Sequence, residues 1–212
     1  MELLPVELEQ FAARYTTKVD PLRQEVDDFT QKNHQEAHML SGPVQGKLLE
    51  MISHMLRPRR ILEIGTFTGY SALSLAEGLT EDGLLHTLEL REETAEIARN
   101  FFSRSPLKNK IRLHVGNAAE LLPTLNETWD LVFIDADKPG YISYFETIIG
   151  QIRKNGFILA DNIFFHGQIF DENPRGKSAR AIQAFNDFIN RRNDIDKLVL
   201  TIRDGLYLMR KL

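Results

Sequence analysis

The hydrophobic period of this chain changes near residue 59, and that change constrains the fold more than any other feature. Before it, apolar residues recur three and four apart, as in Val44, Leu48, Leu49, Ile52 and Leu56, the spacing that gives a helix one buried stripe. Helices are expected over 6–15, 21 to about 37, and 43–56. Beyond residue 59, short apolar runs at 60–64, 84–89, 111–115, 130–135 and 156–160 alternate with amphipathic stretches. Such alternation is the pattern of a parallel sheet wrapped by helices on both faces. Two last runs, 198–202 and 206–210, flank Asp204-Gly205 and read as an antiparallel pair around a tight turn. The expected fold class is therefore α/β: a doubly wound, mostly parallel seven-stranded sheet with an antiparallel C-terminal strand pair and N-terminal capping helices. A single domain over 1–212 is expected, with a helical cap at 1–58 and an α/β core at 59–212.

Composition narrows the function. With 212 residues, 42% of them apolar, the chain can bury a full core. A formal net charge of -4, with acids and bases interspersed, supplies no basic field for nucleic acid. There is no cysteine, so disulfides, thiolate metal sites and cysteine nucleophiles are all excluded, and any metal must use oxygen or imidazole. No apolar stretch approaches the roughly 20 residues that span a bilayer, and the first residues lack a signal-peptide pattern, so a cytoplasmic location without a membrane partner is expected.

Two clusters carry the chemistry. The first is Gly65-Thr66-Phe67-Thr68-Gly69-Tyr70-Ser71, between the 60–64 run and a helical stretch. Glycines at a strand-to-helix turn let backbone approach a ligand closely, and the following helix offers free N–H groups. Glu89 ends the next run, where a carboxylate accepts from two ribose hydroxyls. The Gly-x-x-x-Gly spacing leaves the pyrophosphate fingerprint incomplete, and alone it is also compatible with a plain turn. Glu63 weighs against that plain reading, because a carboxylate inside an apolar strand is costly unless it binds something cationic or hydrogen-bonded. It would repel a pyrophosphate and attract the amino group or sulfonium of S-adenosyl-L-methionine, which favours that cofactor over NAD.

The second cluster is Asp135-Ala136-Asp137-Lys138 after the 130–135 run, with Asp161-Asn162 after 156–160. Strand C-terminal ends line the ligand crevice of such sheets. Asp135, Asp161 and Asn162 would make a hard-oxygen site for Mg²⁺, or for Ca²⁺ or Mn²⁺. Either cluster alone reads equally well as a helix cap or turn; the pair, beyond the candidate cofactor turn, favours the metal. The long 163–178 connection, with three phenylalanines and His166, reads either as a wall of an acceptor pocket or as aromatics packed on the cap or on a second subunit.

Taken together, Met39-Leu40-Ser41 with Gln45-Gly46, Leu62 through Ser71, Glu89, Asp135 through Lys138 with Tyr141, and Asp161-Asn162 resemble the cation-dependent O-methyltransferases, the catechol and caffeoyl-CoA O-methyltransferase group, with its Rossmann-like fold. The resemblance runs from about residue 39 to the C-terminus. It implies that Ser41, Glu63, Gly65, Thr66, Ser71, Glu89, Ala118 and Asp137 surround S-adenosylmethionine, and that Asp135, Asp161 and Asn162 hold the cation. Gly69, Tyr70 and Asp135 join the expected cofactor wall. Where relatives often carry an aspartate before the Ala118 position, this chain has Asn117, whose amide oxygen can still accept from adenine. Lys138 is implied as general base for a small aromatic diol, with His166 as a further substrate contact. A homodimer is implied as well. Tyr70 and Tyr141 stand open between ligand contact and core packing.

Rival readings are an NAD-dependent oxidoreductase, which leaves Glu63 and the oxygen cluster unexplained, a nucleic-acid methyltransferase, which lacks a basic face, and a non-catalytic S-adenosylmethionine-binding module.

Overall fold

The computed structural model describes residues 4–212. Three helices form the cap: α1 (Val6–Tyr15), α2 (Pro21–Asn33) and α3 (Gly42–Leu56). The core then alternates β1 (Arg60–Ile64), α4 (Tyr70–Ala76), β2 (Leu84–Glu89), α5 (Glu92–Arg104), β3 (Ile111–Val115), α6 (Ala118–Leu121), β4 (Trp129–Ile134), α7 (Tyr141–Ile149), β5 (Ile152–Asp161) and α8 (Lys177–Asn190), ending in β6 (Ile195–Leu200) and β7 (Leu206–Lys211). The sheet has seven strands in the order β3-β2-β1-β4-β5-β7-β6. The first five are parallel, and β7 runs antiparallel to both β5 and β6. The strand order reverses beside β1, so the segments leaving β1 and β4 turn to opposite faces of the sheet, toward α4 and α7, and leave a crevice at the strands' C-terminal ends.

Each face of the sheet carries its own core. Leu62, Ile64, Val132, Ile134 and Ile158 pack with α7 and α8 through Tyr141, Phe145 and Phe185. Ile61, Leu131, Phe133 and Leu159 pack on the other face with α3, α4 and α5 through Leu49, Leu75 and Phe101. These strands are buried on both faces, which is why their sequences read as continuous apolar runs. Each fully buried aliphatic or aromatic side chain contributes about 1.5–3 kcal/mol of transfer free energy.

Three boundaries differ from expectation. Helix α2 stops at Asn33, because His34 turns extended and its ring Nδ1 accepts from Glu36 N at 3.1 Å, starting a separate turn. Strand β5 begins at Ile152, opposite Trp129, and an irregularity in register absorbs the intervening Arg153–Asn155 segment, with Asn155 at φ +59°. The expected two-residue turn at Asp204-Gly205 is a five-residue loop, since β6 ends at Leu200, which pairs directly with Leu206. The loop carbonyls bond to another segment: Phe164 N donates to Asp204 O at 2.9 Å and Ile163 N to Gly205 O at 3.2 Å. Among the described residues, no helix is long and apolar enough to cross a membrane.

Candidate functional site

At the C-terminal ends of β1, β2, β4 and β5 lies a cleft of about 710 Å³, ample for a nucleoside and a small ring. Gly65 forms its floor at φ +104°, where a β-carbon would stand 2.0 Å from the Asp135 carbonyl oxygen. Only glycine lets the exits of β1 and β4 pass this closely. Gly69, at φ +95°, starts α4 against the ring of Phe102.

The turn's own N–H groups are spoken for. Gly65 N and Thr66 N donate to Leu88 O at 3.0 and 3.1 Å, and Phe67 N donates to Glu89 Oε2 at 2.8 Å. A pyrophosphate would find no free donors among these three, which weakens the dinucleotide reading. Glu89, 6% exposed, also accepts from Arg91 N at 3.1 Å, so its carboxylate is held rigidly at the cleft edge with lone pairs to spare for a diol.

Behind Gly65, the Glu63 side chain is fully buried. Thr87 Oγ1 donates to its Oε2, and Thr87 in turn contacts Thr66 Oγ1 at 2.5 Å. Its Oε1 has no partner. Burial pushes the carboxyl up to about 8, with the negative charges of Asp135 and Glu89 adding to the effect and the Ser71 and Thr87 hydroxyls opposing it. An acid so placed is neutral near pH 7 unless a cation arrives, and the orphaned oxygen is the acceptor such a cation would use.

At the β4 and β5 ends the oxygens gather on one point. Lys138 Nζ donates to Asp135 Oδ1 at 3.1 Å, to Asn162 Oδ1 at 2.7 Å and to Tyr141 OH at 2.8 Å. The Tyr141 hydroxyl, buried, donates onward to Asp161 O at 3.0 Å. Asp161 is 3% exposed; its Oδ1 accepts from Asn162 N at 2.8 Å and its Oδ2 from Gln45 Nε2 at 2.6 Å. Burial, and then the charge of Asp135, raise the Asp161 carboxyl to about 6. A buried carboxyl raised by a neighbouring carboxylate, with an amide oxygen beside it, fits a hard divalent cation, which would relieve the repulsion. Among the described residues no three His, Cys, Asp or Glu side chains form a group that could hold a metal ion.

Of the sequence-predicted residues, Gly65, Glu89, Asn117, Ala118, Asp135, Asp137, Lys138, Asn162 and His166 line the cleft. Ser41, Glu63, Thr66, Tyr70, Ser71 and Asp161 are buried beside it. Asn117 caps α6, its Oδ1 accepting from Ala119 N at 2.9 Å. Asp137 accepts from the Tyr144 hydroxyl. Tyr70 packs into the core against α3, where a β-carbon on Gly46 would stand 2.4 Å from its ring, and burial pushes its phenol up to about 12. Tyr141 is buried in the core, and its hydroxyl accepts from Lys138 Nζ. The sequence reading missed Glu36, Arg91, Arg203 and Asp204, all on the cleft wall.

A family model described as O-methyltransferase matches residues 14–212. A catechol O-methyltransferase of Niastella koreensis is 33% identical over 163 residues, 75% of this chain and 74% of that one. A probable caffeoyl-CoA O-methyltransferase of Dictyostelium discoideum is 31% identical over 208 residues, 95% of this chain and 90% of that one. The crystal structure of an O-methyltransferase from Bacillus cereus in complex with SAH superposes with a TM-score of 0.89 at 29% identity, over 97% of each chain.

Proposed function

The chain belongs to this O-methyltransferase family, and on that premise we propose that it moves the methyl group of S-adenosylmethionine to a hydroxyl oxygen of a catechol-like or caffeoyl-like diol, at a centre where Asp135, Asp161 and Asn162 hold a divalent cation. The observation that carries the reading is the gathering of Asp135 Oδ1, Asn162 Oδ1 and Lys138 Nζ at one end of a cleft whose other end carries Glu89, with the orphaned Glu63 oxygen buried beside it. When bound, the cation would supply Lewis acidity, lowering the cost of forming a phenolate from a hydroxyl whose ordinary pKa is about 10.

The chain's own residues do the rest. Glu63 and Glu89 anchor the donor by its amino group and its ribose, fixing the methyl relative to the acceptor end. Lys138 would act in its neutral form: having given one of its own protons to solvent, it leaves its present partners, turns the Nζ lone pair to the attacking hydroxyl and takes that proton. Tyr141, buried and bonded to Asp161 O, returns the lysine to the same place after each turnover. The methyl then leaves sulfur for oxygen in line, the sulfonium becoming a neutral thioether, and the rate gain comes from orientation.

A methyl-transfer assay over a diphenol panel, with and without EDTA, tests this. Product from vicinal diols, lost on chelation and restored by Mg²⁺, is expected. Turnover indifferent to EDTA would refute the cation's role, and stabilisation by NADH in place of S-adenosylhomocysteine would refute the cofactor.

A further inference from the structure

Three lysine or arginine side chains line the cleft: Arg91, Lys138 and Arg203. Arg91 is paired with Glu36 and lies 3.7 Å from Glu89, and Lys138 donates to Asp135. Arg203 forms no ion pair among the described residues. Its one hydrogen bond runs from Nη1 to Leu40 O at 2.7 Å. A guanidinium carries five N–H donors in a planar fork, so most of this one's donors remain free. Asp27 on α2 senses the charge without pairing to it.

The fold puts this cation at the acceptor end. Leu206 pairs antiparallel with Asp161, so residues 201–205 run out past the end of β5 and over the crevice. Arg203 sits there at φ +47°, a left-handed conformation that costs a residue with a β-carbon about 1–3 kcal/mol. The surroundings hold it: Gly205 N donates to Ile202 O at 2.9 Å, and Asp204 O and Gly205 O accept from Phe164 N and Ile163 N. Those last two residues directly follow Asp161-Asn162, so the guanidinium is tied through a few hydrogen bonds to the candidate cation ligands. Leu40 adds a tether from the cap.

A strained, half-buried arginine without a carboxylate partner, facing a substrate cleft, matches an anion on the incoming molecule. The neighbouring acids Asp135, Asp137 and Asp204 would repel a dianionic phosphate more than a monoanion. We propose that Arg203 is the specificity-determining residue for the acceptor, taking the carboxylate of an aromatic diol acid whose hydroxyl is methylated at the Asp135 end. The proposal rests on the diol methylation argued above.

The test compares 3,4-dihydroxycinnamate with its neutral methyl ester, on the wild type, Arg203→Gln and Arg203→Lys. The wild type should favour the acid. Arg203→Gln should lower kcat/KM for the acid by about 10- to 100-fold, chiefly through KM, as expected for a lost charge-assisted bond, and change the ester less than about twofold; Arg203→Lys should retain part of the preference. A wild type indifferent to the ester, or parallel losses on acid and ester, would overturn the proposal and leave Arg203 only as a clamp on Leu40. Calorimetric binding of both compounds to the protein loaded with S-adenosylhomocysteine separates the two readings. Should no diphenol be methylated, the proposed activity falls, while an acid-over-ester binding preference that disappears in Arg203→Gln still upholds Arg203, and no such preference overturns it.

Discussion

Glu63→Gln gives a direct measure of what a carboxyl buried at the end of β1 costs this protein. In the unfolded chain the carboxyl titrates at its ordinary 4.5; in the fold burial raises it to about 8. Between those two values the folded protein holds a proton that the unfolded chain has lost, so stability falls as pH rises. The decline is about 1.4 kcal/mol for each pH unit, and over the whole window it amounts to roughly 5 kcal/mol, an order-of-magnitude figure. Glutamine has the same shape and never ionises. The stability difference between variant and wild type, measured by urea unfolding of the ligand-free proteins, should therefore move in the variant's favour by about 3 kcal/mol from pH 5.5 to 8.5. Titrating groups that do not interact with Glu63 are common to both proteins and cancel. Any fixed cost of placing an amide NH₂ where Oε1 lacks a partner is the same at both pH values. The variant should also bind S-adenosylhomocysteine more weakly, since a neutral amide cannot answer the ligand's amino group. A stability difference that stays constant across this range would refute the idea that the fold keeps Glu63 protonated, and with it the argument that the site waits for a cation.

Two further outcomes follow from contacts around the cleft. Gly65→Ala should destabilise by about 3 kcal/mol or more in thermal or urea unfolding and abolish S-adenosylhomocysteine binding, because the new methyl would meet the Asp135 carbonyl at 2.0 Å in a left-handed backbone; near-normal stability would show that β1 and β4 do not abut as described. Gln45→Leu removes the donor to Asp161 Oδ2, and the dissociation constant for Mn²⁺ or Mg²⁺ should rise about 10- to 100-fold in a direct titration; unchanged affinity would show that Asp161 needs no outside orientation.

How much of this was readable in the chain depends on the distance over which each feature is decided. The bounds of β1, β2 and β3 coincide with the apolar runs at 60–64, 84–89 and 111–115, because a strand between two helical layers is specified by its own residues. Glu63 was visible for the same local reason, as an acid in a run of five residues otherwise fit for a core. Asp135, Asp161 and Asn162 were visible once strand ends could be placed. The 201–205 loop was not, since Asp-Gly is a sound two-residue turn locally and only the amides of Ile163 and Phe164 decide otherwise. The link from Gln45 to Asp161 spans 116 positions and has no local signature.

The same distinction explains why the cleft wall was read unevenly. The ends of the parallel strands are placed by their own apolar runs, so Gly65, Glu89 and Asp135 on the cleft wall were named from sequence. The rest of the cleft wall is built from the cap segment around Glu36 to Met39, the 163–178 connection and the β6–β7 loop, none of which carries a period. Each is positioned by a partner far away in sequence: Arg91 for Glu36, Asp204 for His166, Leu40 for Arg203. Segments held only by such contacts can change without unfolding the sheet. What the strand ends carry is thus legible locally, whereas the contacts between segments, where Arg203 sits, are not.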